Sequence, residues 1–228
     1  MNSGPEFVGL VNPTSLLVYN GSTFEKVPSS SKISKVRVIK NKKVLYGVFG
    51  EEEGVLNIVD LEKNKSVFHY RCGDRPVVHL EVCEKASTIY AATVNSGLHI
   101  FKYQTRFDQY EFEFASQMSP TLYPSGELQH MMTHNHDLIM FGPRRNIVVF
   151  DVILNAEIIR TQYQAKSPAF THSCIVYIDG TEFLITLCQN ESEVYSWMID
   201  RSKRTVKVDP LNMPGKEGAL LGIASNSD

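Results

Sequence analysis

The chain has 228 residues, 43% of them hydrophobic, and a formal net charge of −2. That length buries a sizeable core, roughly 70–75% of the extended surface, and the near-neutral charge argues against a protein whose main business is neutralising phosphates. No apolar run approaches the roughly 18 residues of a membrane-crossing helix, and the first residues lack the basic start and apolar segment of a secretory signal.

In chain order almost every segment is strand-like, rich in Val, Ile, Phe, Tyr and Thr and cut by Gly, Asn, Asp and Pro. Residues 7–11, 15–20 and 23–27 predict three strands, followed by a polar linker. A four-strand unit follows at 33–39, 44–49, 55–61 and 66–71, then a second at 77–82, 88–94, 97–103 and 110–115. A third occupies 128–133, 138–141, 146–153 and 157–164, a fourth 171–178, 183–188, 194–199 and 205–209, and one more apolar strand is expected at 218–224.

Five of these runs resemble one another: 15–20, 55–60, 97–102, 146–151 and 194–200. They recur at intervals of about 40–50 residues, the period of four-stranded propeller blades. The expected fold is therefore an all-β propeller of about five antiparallel blades in a single domain, 1–228, unless the chain is part of a larger ring. Three strands at the start and one at the end would together complete the first blade, removing exposed sheet edges.

The pairs Val59-Asp60 and Phe150-Asp151, with Trp197 in the last unit and the turn Asn95-Ser96-Gly97, resemble the WD-repeat β-propeller family over nearly the whole length. The resemblance implies a divergent member: no Gly-His pair opens a unit, so the family's internal Asp–His–Ser–Trp network is expected to be absent. Seven blades, the common number, need more chain than this, which implies either a compact ring or one completed by another chain.

Cys72, Cys83, Cys174 and Cys188 show no C-x-x-C spacing; they read as buried reduced thiols of a cytoplasmic or nuclear protein. His130, His134 and His136 have H-x-x-x-H-x-H spacing, but fall on a strand and a hairpin turn where a zinc site lacks its support. No nucleotide, nucleophile-elbow or metalloprotease motif is present, so no catalytic residue, metal or cofactor is assigned. Asp60 and Asp151 end strands and are poor glycosidase carboxylates, although a five-bladed sugar-binding or sugar-hydrolysing propeller is the competing class. The short basic turns 40–43 and 201–204 read as guards of strand ends, and a nucleic-acid-associated subunit is the weaker alternative.

The expected function is a non-catalytic scaffold that binds other proteins within an intracellular complex. Candidate contacts are Arg75, Arg144 and Arg145 for acidic groups. The Pro-rich connector 117–126 supplies Met118, Leu122 and Tyr123 as apolar anchors.

Overall fold

The computed structural model describes residues 7–19, 24–29, 31–41, 44–94, 96–107, 109–143, 146–161, 170–178, 181–188 and 194–211. They divide between two compact units, Met1–Ser119 and Pro120–Asp228.

In the first unit β1 (Phe7–Asn12), β2 (Ser15–Tyr19) and β3 (Phe24–Pro28) form a three-stranded meander. A four-stranded sheet follows, with β4 (Ile33–Asn41), β5 (Val44–Glu51), β6 (Val55–Asp60) and β7 (Lys65–Arg71) in sequence order. The next comprises β8 (Val77–Cys83), β9 (Thr88–Thr93), β10 (Leu98–Arg106) and β11 (Gln109–Met118). The second unit repeats the plan twice. One sheet is β12 (His130–His134), β13 (Asp137–Phe141), β14 (Ile147–Asp151) and β15 (Ala156–Arg160); the other is β16 (Phe170–Ile178), β17 (Thr181–Cys188), β18 (Val194–Asp200) and β19 (Thr205–Leu211).

The four four-stranded sheets are antiparallel meanders, the blades of a β-propeller fold. The strand expected at 218–224 lies outside the described residues. Repetition extends to the irregularities. The pairing of third with fourth strand carries a bulge at Ile58/Val59, Ile100/Phe101 and Val149/Phe150 in three different sheets. A second bulge opens the first strand pair at Ile33/Lys35, Val77/His79 and Phe170/His172. Bulges strengthen the right-handed twist that blades require.

Most middle-strand residues are buried because neighbouring sheets within each unit stack face to face. β6, β9, β13 and β14 have no exposed residue. Val27 packs with Ile33, Leu45 and Phe49; Val48 and Ile58 pack with Val77, Leu80 and Phe101; Ile139 and Val149 pack with Phe170, Tyr195 and Trp197. Sheets covered on both sides read as continuous apolar runs rather than as alternation.

The indole Nε1 of Trp197, fully buried, donates to Thr186 Oγ1 at 2.7 Å. A tryptophan on a third strand bonded to a hydroxyl on the second is one link of the polar network that the missing Gly-His pair suggested was lost. That expectation is corrected in part.

Between the two sheets 33–71 and 77–118, outer-strand aromatics interlock. Tyr70 stacks on Phe114 at 4.8 Å and meets Phe101 edge-on at 5.1 Å. His99 is buried among them, with neither ring nitrogen in hydrogen-bond geometry to a described residue. Burial lowers its pKa; the Cys72 backbone opposes weakly. A lowered histidine pKa means the unfolded chain takes up the proton first. The unit is then most stable above about 6.5, the ordinary histidine value, and loses stability as pH falls below it. His99→Phe is expected to reduce that slope between pH 7.5 and 5.5 in urea unfolding followed by circular dichroism.

Candidate functional site

Two ends of the sheets are distinguished by what their turns do. At one end of the sheets lie the turns joining third to fourth strands, three of which are closed by acidic caps. Asp60 Oδ1 accepts from the N–H of Glu62 and of Lys63, each at 3.1 Å. Asp151 Oδ1 accepts from Ile153 and Leu154, each at 2.9 Å. Asp200 Oδ1 accepts from Ser202 Oγ at 2.7 Å and Lys203 N–H at 3.0 Å. In each turn the fourth residue after the aspartate is left-handed: Asn64 at φ 48°, Asn155 at 52° and Arg204 at 53°. Asparagine tolerates that region better than arginine. Arg204→Asn is expected to raise stability by about 0.5–1 kcal/mol, read as a higher urea midpoint.

Asp151 holds more than its turn. Arg201 Nη2 reaches its Oδ2 at 2.6 Å and Asp137 Oδ1 at 3.0 Å, tying the turn after β18 to the neighbouring sheet. The Leu154 N–H first, then that of Ile153 and the Arg201 guanidinium, hold the Asp151 carboxyl below its ordinary range against the opposing effect of burial. A depressed carboxylate pKa gives stability that is complete above the ordinary value of 3.8 and is lost as pH falls toward the folded value. Asp151→Asn keeps an acceptor for the turn but loses the ion pair. It is expected to cost about 1–2 kcal/mol at pH 7 and to flatten the acid limb, both read by Trp197 fluorescence. This cap leaves Ile153 and Leu154 in solvent, 63% and 72% exposed, and at the tip after β10 Phe107 is 91% exposed.

At the opposite end of each sheet, taken unit by unit, lie the turns between second and third strands and the connections to the neighbouring sheet. Three glycines let these backbones meet. A Cβ on Gly54 would lie 2.5 Å from Gly73 O and 2.6 Å from Arg75 O; one on Gly97 would lie 2.5 Å from Met118 O; one on Gly142 would overlap Pro124 O. Arginines at the last position of two outer strands complete the pinning. Arg71 Nη1 donates to Glu53 O at 3.1 Å and Gly73 O at 3.3 Å. Arg160 Nη2 donates to Leu122 O at 3.0 Å and its Nη1 to Tyr123 O at 3.2 Å, with Glu157 holding Nε at 3.0 Å.

The connection before β12 contains two 3-10 turns, Pro120–Leu122 and Pro124–Gly126, with Ser125 and Gly126 left-handed at φ 53° and 79°. Asn146 Nδ2 donates to Ser125 Oγ at 2.7 Å and Pro143 O at 3.1 Å, so the connection is sewn to the turn after β13.

The sequence-derived candidates fall into three groups. Arg75 is exposed on the connection after β7, and Leu122 is 39% exposed on the pinned connection. Met118 and Tyr123 are buried, which corrects the expectation that they are surface anchors. β11 runs on through Met118, paired with Leu98 beyond the bulge, so that residue belongs to the sheet rather than the connector. Tyr123 is held inward with its carbonyl accepting from Arg160 of the β12–β15 sheet and with the Pro124 backbone lying close over Gly142, and burial raises its phenol pKa. Arg144 and Arg145 lie outside the described residues, although Pro143 and Asn146 on either side belong to the pinned turn. Sequence reading passed over Arg71 and Arg160; the available signal was an arginine ending two equivalent outer strands.

Among the described residues no group of three His, Cys, Asp or Glu gathers as a metal-ligand set. His130 Nε2 and Ser173 Oγ are 2.8 Å apart, and His134 Nε2 lies 2.7 Å from Asn135 Nδ2. Cys72 and Cys174 are buried free thiols, and burial pushes Cys72 up to about 12. Among the described residues no helix is long and apolar enough to cross a membrane.

No protein-family model matches the chain, and no curated protein matches it. Solved structures do. A chain of the mitotic checkpoint complex aligns over 94% of this chain and 78% of its own length, with a TM-score of 0.54 at 10% identity. The WD40 domain of Toxoplasma gondii coronin aligns over 91% of this chain and 55% of its own, with a TM-score of 0.59 at 12% identity. Saccharomyces cerevisiae Sqt1 aligns over 78% of this chain and 51% of its own, with a TM-score of 0.55 at 11% identity. The likeness is one of fold, that of a divergent WD40-type propeller, and the chain spans about half the length of the last two structures.

Proposed function

We propose that the chain is a non-catalytic scaffold that binds other proteins within an intracellular complex, using the end of the sheets where connections and second-to-third-strand turns meet. The observation that carries this reading is the connection 120–127, whose Leu122 side chain projects into solvent while its carbonyl is clamped by Arg160. An apolar side chain on a backbone already fixed loses little ordering entropy when a partner covers it. Arg75 in the first unit and Leu122, Arg144 and Arg145 in the second are the proposed contacts; Met118 and Tyr123 are buried within their own units.

The acidic strand ends support a non-catalytic role, because Asp60, Asp151 and Asp200 are committed to turn N–H groups and cations. Buried thiols suit a reducing compartment. The likeness in fold to a chain of the mitotic checkpoint complex suits a scaffold.

The test is quantitative affinity purification of the full chain against a variant with Leu122→Asp, Arg75→Glu, Arg144→Glu and Arg145→Glu. Unchanged Trp197 fluorescence shows that the second unit is still folded, and unchanged circular dichroism controls the rest. The reading requires a stoichiometric set of protein partners that the variant loses. Retention of the whole set by the folded variant overturns it.

A further inference from the structure

In the first unit β7 and β11 are the outermost strands of their sheets. Between them opens a cleft of about 650 Å³, lined by Lys65–Val67 of β7 and Gln109–Glu113 of β11. That volume lies in the range of specific binding sites. Successive side chains of a strand point to opposite faces, so a wall made of five consecutive residues is a strand edge rather than a sheet face.

The register says which backbone groups that edge offers. Thr105 stands opposite Tyr110 and Tyr103 opposite Phe112. The Tyr110 N–H turns away from β10 and donates to Tyr46 Oη at 3.2 Å. In an antiparallel strand a residue sends its N–H and C=O to the same side, and the side alternates along the chain. Phe112, two residues on with no bulge between, therefore directs both groups into the cleft. Neither has a partner among the described residues.

The walls carry opposite charge. Lys63 is committed to Asp60 at 3.2 Å and Glu111 to Arg106 at 3.0 Å. Lys65 on one wall and Glu113 on the other are exposed and have no ion-pair partner among the described residues. The floor is aromatic, with the Tyr46 ring 5.5 Å from Tyr110 and 5.4 Å from Phe112. Charged side chains on an edge strand commonly guard it against stray pairing. A guard, however, needs neither a cleft nor a facing wall of the other sign.

We propose that this cleft takes an extended segment of a partner protein, added as a strand to the β11 edge through the Phe112 N–H and C=O. A basic side chain of the segment meets Glu113, an acidic one meets Lys65, and the intervening apolar side chains lie on the aromatic floor. This is strand addition, in which the backbone supplies affinity and alternate side chains supply selectivity. It rests on the reading of the chain as a protein-binding scaffold, but uses none of the residues proposed above for that role.

The probe is an acetylated, amidated, fluorescent peptide of sequence Thr-Lys-Val-Thr-Val-Asp-Thr, titrated into the full chain by anisotropy. Lys65→Glu and Glu113→Lys, both at exposed positions, are each expected to weaken binding at least tenfold. A peptide N-methylated at alternate residues is expected to lose at least as much, and exchange of the Phe112 amide is expected to slow in the complex. Equal binding by the N-methylated peptide, indifference to both charge reversals, or no binding up to about 1 mM overturns the proposal. So does displacement of the peptide by a neutral methyl glucoside. The Leu122 and arginine variant above leaves this cleft intact, so failure of one surface is distinguishable from failure of the other.

Discussion

Gly54→Ala will destabilise the first unit by about 2–4 kcal/mol, a left-handed strain plus an overpacking term. Gly54 sits at φ 78°, where a side chain is strained whatever the space around it. Its Cβ would also lie 2.5 Å from Gly73 O and 2.6 Å from Arg75 O, and backbone carbonyls cannot swing aside as a flexible side chain would. The residue is fixed from other directions too: its carbonyl accepts from Cys72 N at 2.9 Å and Gly73 N at 3.2 Å, and its N–H donates to Glu51 O at 3.1 Å. Relief requires the connection bearing Arg75 to move, so the cost appears as faster amide exchange at 72–76. Trp197, the single tryptophan, lies in the second unit and reports on that unit's own unfolding. A variant with unchanged exchange at 72–76 and an unchanged urea midpoint by circular dichroism would refute the close packing described here.

Gly142→Val is the corresponding change in the second unit and is expected to cost about 2–4 kcal/mol. The Cβ would overlap Pro124 O and lie 2.9 Å from Glu127 O, and valine adds two methyl groups to it. The connection 120–127 must then lift from the turn after β13, and the Asn146–Ser125 and Arg160–Leu122 bonds must loosen with it. Partner binding through Leu122 should weaken although Leu122 is untouched. That separates preorganisation of the connection from the contact itself. Unfolding followed by Trp197 fluorescence measures the stability, and partner retention measures the consequence.

The sheets were legible because blade stacking buries middle strands on both faces. Runs such as Ile147–Phe150 therefore stay apolar throughout, and their spacing repeats. Asp60 and Asp151 were visible as strand-end residues, and their caps on the following turns explain why an acid stands there. What could not be read was which apolar residues near strand ends face outward. Met118 looks like an exposed loop methionine until the bulge at Ile100/Phe101 carries β11 past it. Ile153 looks like the end of a strand, but the Asp151 cap closes the strand before it and leaves it in solvent. Tyr123 is turned inward where Arg160 holds its carbonyl and Gly142 lets the Pro124 backbone pass close, both distant in sequence, which no local pattern announces. The Trp197–Thr186 link was likewise hidden, because the family's other network residues are missing from the sequence.

Hydrogen–deuterium exchange on the full chain, alone and with the partner set obtained by affinity purification, tests the central claim most directly. If the pinned connections of each unit are interaction surfaces, they exchange slowly for loops in the free chain, and binding protects 120–127 in the second unit and 73–76 in the first further. Protection confined to the other end of the sheets, around 152–155 and 201–204, or fast exchange of 120–127 in both states, would contradict it.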